Sequence, residues 1–128
     1  MTRIPSPSLY APTIGFSAAV RAGDFVFVAG TTALMHDGTI VDGAEAQARS
    51  ALLKIALSLE EAGASLDQVV RTRTFLADAA DWEDVGRVHG EFFGLVRPAS
   101  SMLVCGLLDP RMRVEIEAVA YVNPGMRP

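Results

Sequence analysis

Two glutamates near the end of the chain are the side chains best placed to do chemistry. They lie in Val114-Glu115-Ile116-Glu117-Ala118-Val119-Ala120-Tyr121. Strand alternation puts Val114, Ile116, Ala118 and Ala120 on one face and Glu115, Glu117, Val119 and Tyr121 on the other. A carboxylate held beside buried apolar residues can position or deprotonate a water molecule. Upstream, Arg97-Pro98-Ala99-Ser100-Ser101 supplies hydroxyls just after a chain break. Val69-Val70-Arg71-Thr72-Arg73-Thr74 sets two guanidiniums on one strand face. They either bind an anion or pair with Glu115 and Glu117 across neighbouring strands. Gly30-Thr31 ends an apolar strand; it is either a turn glycine or a place where a ligand approaches backbone amides.

The remaining reactive residues have blander readings. Ser100 and Ser101 would need a base to act as nucleophiles, and the two histidines are His36, in a turn, and His89, on a helix. His89 shares helical spacing with Trp82, Val85 and Phe92, which describes a packed or surface histidine. Cys105 falls in an apolar strand, where a buried, inert thiol is expected. As the single cysteine it forms no internal disulfide and no cysteine metal cluster. Asp81, Glu83 and Asp84 gather at a helix start, where the dipole favours negative charge. No metal and no cofactor is expected.

The elements that must hold these groups can be read in order. Residues 1–14, with Pro5, Pro7 and Pro12, form an irregular N-terminal arm. Phe16–Arg21 and Phe25–Ala29 flank Ala22-Gly23-Asp24 as a β-hairpin, and His36-Asp37-Gly38 turns the chain again. Asp42 caps a helix that runs to about Ala62 and stops at Gly63, its inner face Ala48, Leu52, Ile55, Leu59 and Ala62. Leu66–Leu76 is a strand, and Asp81 caps a second helix reaching Phe93-Gly94. Ser101–Leu107 and the glutamate segment are the last strands. The order β-β-α-β-α-β-β predicts an α+β two-layer domain, a mixed sheet with two helices on one face. The other sheet face still carries Phe, Val and Ala side chains, so self-association is expected.

Composition narrows the rest. At 128 residues, half of them apolar, the chain makes a single domain, residues 1–128, with its own core. A net charge of −4 with scattered arginines argues against nucleic acid as a partner. Lys54, Glu60 and Glu61 interrupt the longest apolar stretch, so no membrane is expected as a partner. With no apolar leader at the N-terminus, the plain reading is cytoplasmic.

Several segments together resemble the Rid family, the reactive-intermediate deaminases also called YjgF-type proteins, over about residues 14–122. They are Phe16-Ser17-Ala18-Ala19-Val20, Val28-Ala29-Gly30, Ala62-Gly63-Ala64-Ser65-Leu66-Asp67-Gln68-Val69-Val70, Glu91-Phe92-Phe93-Gly94, Arg97-Pro98-Ala99 and Val114-Glu115-Ile116-Glu117-Ala118. The resemblance implies a chorismate-mutase-like fold and a homotrimer with a small-molecule ligand in clefts between subunits. It also implies hydrolysis of enamines and imines, such as 2-aminoacrylate, to 2-keto acids and ammonia. The family's acid falls on Glu115. Its carboxylate-binding arginine falls on Ser100, its hairpin tyrosine on Phe16, and the asparagine many members carry on Gly86. Glu115 is therefore the candidate catalytic residue. Phe16, Gly30, Thr31, Arg73, Ser100, Ser101 and Met102 are the candidate substrate contacts, with Arg73 a possible stand-in for the arginine absent at position 100.

The function expected is a Rid-like deaminase or hydrolase acting on an enamine, imine or related carbonyl-derived metabolite. The alternative is a non-catalytic trimer that binds a small metabolite. The label endoribonuclease or translation inhibitor, also attached to this family, ranks last because no basic stripe and no histidine pair for RNA cleavage is present.

Overall fold

The computed structural model describes residues 1–122. The glutamate segment forms the strand β6, Val114–Tyr121, at the centre of the sheet. Its inward residues Val114, Ile116, Ala118 and Ala120 are all buried, as their alternation requires. The other strands are β1 (Thr2–Pro5), β2 (Ser17–Ala22), β3 (Phe25–Thr31), β4 (Val69–Leu76) and β5 (Ala99–Val104). The sheet order is β1-β2-β3-β6-β4-β5. All neighbours are antiparallel except β4 and β5. Two long helices, α2 (Ala44–Glu61) and α3 (Trp82–Phe93), cover one face; a one-turn helix, α1, spans Ala11–Ile14.

The core is the layer between α2, α3 and the sheet. Leu52, Ile55 and Leu59 from α2 and Val85 and Val88 from α3 are fully enclosed against Val26, Leu76 and Ile116. At about 25 cal/mol per Å² of apolar surface, each of these aliphatic side chains contributes roughly 1.5–3 kcal/mol. The end of α2 is held from the sheet: Arg21 Nη1 donates to the Ala62 carbonyl at 3.0 Å. Gly63 follows at φ +82°, where an added Cβ would lie 2.7 Å from that same guanidinium. The positive φ is what calls for glycine there, since the arginine tip could shift aside.

Several local expectations are corrected. Residues 1–14 are not an irregular arm: Thr2–Pro5 pairs with β2, and Ile4 and Ala11 are buried. The prolines were misleading because Pro5 ends an edge strand, where a missing N–H costs nothing. Gly43, not Asp42, precedes α2, with no side-chain cap. Asp81 stands at the start of α3, but its carboxylate accepts from Arg113 Nη2 at 2.7 Å instead of capping. Asp78 begins that turn by accepting from the Ala80 N–H. Leu66–Gln68 is a 3₁₀ turn, so the strand starts at Val69. The later strand runs Ala99–Val104, which leaves Cys105 exposed rather than buried. Among the described residues no helix is long and apolar enough to cross a membrane.

Candidate functional site

Glu115 points away from the helices, and β6 presents it to the end of β3. That position works because residue 30 is glycine: a Cβ there would lie 2.7 Å from Glu115 Oε2 and 3.0 Å from Cδ. The carboxylate thus rests directly on the β3 backbone. Burial, reinforced by the like charge of Glu117, pushes its pKa above the ordinary 4.5. Glu117 is engaged, accepting from Arg73 Nη1 at 3.1 Å across the β6–β4 rung they share. The expected cross-strand pairing therefore holds for Arg73 and Glu117, while Glu115 sits two rungs along, opposite Phe75.

The loop after β3 is fixed by a residue that sequence reasoning treated only as a charge. Lys54 on α2 donates from Nζ to the Thr32 carbonyl at 2.8 Å and the Leu34 carbonyl at 2.6 Å. Burial lowers its pKa. Thr31 Oγ1 donates to the Ala29 carbonyl at 2.7 Å, a tight local bond at the strand end. Phe16, partly exposed, immediately precedes β2 at the same end of the sheet.

The hydroxyl segment lies elsewhere. On β5, Ser101 is level with Arg73 and Ser100 with Thr72. Alternation therefore sends Ser101 to the glutamate face, while Ser100 and Met102 turn toward the helices. Ser100 Oγ is 3.0 Å from Thr72 Oγ1, which is 2.8 Å from His89 Nε2. Ser100 is thus on the opposite face from Glu115, two strands across and three rungs along. At about 4.8 Å per strand and 3.3 Å per rung, those two groups cannot share one small ligand within one chain. The sequence candidates therefore fall into two clusters: Glu115, Gly30 and Thr31 with Arg73 and Ser101 nearby, and Ser100 with Met102.

His89 and Thr72 were missed as partners of Ser100. They lie 17 and 28 residues apart in the two bonds, and local periodicity carries no signal for such a contact. A cavity of about 320 Å³ opens on the glutamate face, lined by Phe27, Arg71, Arg73, Glu117 and Val119 among others. Among the described residues no three His, Cys, Asp or Glu side chains converge as a metal site.

A family model described as endoribonuclease L-PSP matches residues 8–122. An uncharacterized Streptomyces coelicolor protein is 39% identical over 121 residues, covering 93% of this chain and 90% of its own. A RutC family protein of Pyrococcus abyssi is 36% identical over 108 residues, with 83% and 85% covered. The crystal structure of Rv2704 from Mycobacterium tuberculosis, a member of the YjgF/YER057c/UK114 family, superposes with a TM-score of 0.87. It is 44% identical, and the match covers 94% of this chain and 98% of that one. The fold is accordingly the chorismate-mutase-like α+β architecture of that group. With the family model spanning nearly all described residues, the chain belongs to the endoribonuclease L-PSP family, the YjgF/RutC/Rid group whose motifs it carries.

Proposed function

We propose that the chain is a Rid-type hydrolase that converts an imine, an enamine or a related small metabolite to a carbonyl compound and ammonia. It acts as a homotrimer, with the ligand in clefts between subunits. The observation that carries this reading is Glu115: a half-buried carboxylate, short of counter-charge, in space left open by Gly30. A fold keeps such a group only at a cost, and a raised pKa suits a carboxyl that must both take and return a proton. Glu115 removes a proton from water as its oxygen bonds to the imine carbon, then delivers that proton to the nitrogen. The carbinolamine so formed loses ammonia.

The separation of Ser100 from Glu115 within one chain supports a cleft built by two copies, each contributing one face. Phe16, Gly30 and Thr31 then line the Glu115 side, and Ser100 and Met102 approach from the neighbour. Arg73 and Ser101 stand at the margin, where Arg73 could meet a substrate carboxylate by leaving Glu117. Exposed ion pairs are weak, so that exchange costs about 1 kcal/mol or less.

The engagement of Arg73 by Glu117 favours a second reading, a metabolite-binding trimer whose acids serve its interface. One experiment separates the two. Imines are generated in situ by amino-acid and amine oxidases, and carbonyl release is timed with and without the protein. The hydrolase reading expects acceleration that Glu115→Gln abolishes while sedimentation stays unchanged. A variant that loosens the assembly, in a protein with no activity to lose, would favour the binding trimer.

A further inference from the structure

We propose that Ser100, Thr72 and His89 form a proton-transfer chain, with the Ser100 hydroxyl as a catalytic group of the cleft and Thr72 and His89 as positioning residues behind it. The inference rests on the hydrolase reading above and adds a second proton path to that reaction.

The geometry is specific. Thr72 is fully buried on the helix-facing side of β4, with its Oγ1 2.8 Å from His89 Nε2 and 3.0 Å from Ser100 Oγ. A hydroxyl has one proton, so in such a pair it donates to one neighbour and accepts from the other. The chain consequently has two states. In one, Ser100 donates to Thr72 and Thr72 to the ring; in the other, the ring donates to Thr72 and Thr72 to Ser100. Switching between them carries a proton from the exposed edge strand β5 to a half-buried imidazole. Burial of a threonine on this strand does not by itself recruit a histidine: Thr74 is equally buried and its hydroxyl has no protein partner.

The ring is suited to accept. Thr72 faces it from β4 with Ser100 behind on β5, and the Phe93 ring lies 4.7 Å away on its own helix. Burial alone lowers its pKa, with no carboxylate or cation acting on it. At neutral pH the ring is therefore neutral, and in the tautomer that carries its proton on Nδ1 the Nε2 atom can accept one.

Carbinolamine breakdown gives that step a role. The amine nitrogen draws a proton from water, the C–N bond breaks and ammonia leaves. The hydroxyl proton passes to Ser100 Oγ as the proton of Ser100 moves to Thr72 and that of Thr72 to His89 Nε2. The imidazolium then returns a proton to solvent, which restores the balance.

The test is imine hydrolysis by wild type, Thr72→Val, Thr72→Ser, His89→Gln and Glu115→Gln, each checked for a native melting transition. Thr72→Val and His89→Gln are expected to lower kcat by about a hundredfold with KM within about twofold. Thr72→Ser, which keeps the hydroxyl, is expected to stay near wild type. Wild-type kcat should fall at acid pH as Glu115 and His89 become protonated, and His89→Gln should keep only the part of that fall that Glu115 causes. If Thr72→Val does not fold, His89→Gln decides on the same criterion, because glutamine keeps a hydrogen bond but takes no proton. Loss of rate in Glu115→Gln alone would overturn the chain and leave the hydrolase reading intact. No acceleration by wild type would overturn both.

Discussion

At the residue scale, the informative groups are those whose surroundings oppose their charge. Glu115 is half-buried against the β3 backbone, and that burial, with the like charge of Glu117 added, makes it bind a proton more tightly in the folded chain than in the unfolded one. The sign follows: its ionisation costs stability as pH rises above the ordinary 4.5, and the cost is absent below it, where both states are protonated. Glu115→Gln is expected to raise the melting temperature at pH 7 by roughly 1–3 °C, with the gain vanishing near pH 4. Calorimetry at the two pH values checks it, and a lower melting temperature at pH 7 would make Glu115 structural. His89 works in the other direction. Its folded pKa lies below the ordinary 6.5, so its contribution is intact above that value and is lost as pH falls through it.

At the scale of elements, the site depends on a tie between α2 and the loop after β3. Lys54 has two backbone carbonyls as partners and lies partly out of water. Lys54→Met keeps the aliphatic stem in place but leaves the Thr32 and Leu34 carbonyls without that donor. A loss of about 1–2 kcal/mol is expected in denaturant titration, with faster hydrogen exchange at Ala33 and Leu34. Unchanged exchange there would mean that the isolated bridge between Leu34 and Ile40 holds the loop without the lysine. The β1 strand teaches a related lesson. Its residues became a strand through Ile4, whose burial against the β2 edge outweighs the proline content around it.

At the scale of the molecule, the outer sheet face is unfinished in one chain. Phe25 is 43% and Phe27 49% exposed, and Phe25 stacks on Tyr121 with ring centroids 5.0 Å apart. A ribbon of aromatic surface of this kind belongs at an interface. The homotrimer we propose predicts that Phe27→Glu gives a monomer in sedimentation and lowers imine hydrolysis along with assembly. A Phe27→Glu protein that still sediments as a trimer would place the interface elsewhere.

What the sequence determined by itself was local. The period of two assigned the faces of β6, and the helical period assigned the buried stripe of α2, because each side chain's direction follows from backbone geometry a few residues long. The acid at Glu115 and the glycine at position 30 were legible as residue types at strand positions. The tertiary structure alone decided that the two touch, that Lys54 holds the adjoining loop, that Ser100 faces away from Glu115, and that Thr72 joins Ser100 to His89. Those facts depend on strand order and register, which place β6 between β3 and β4 and leave β5 at the edge. Pairing between segments far apart in the chain is set by packing of the whole core, and no local pattern encodes it.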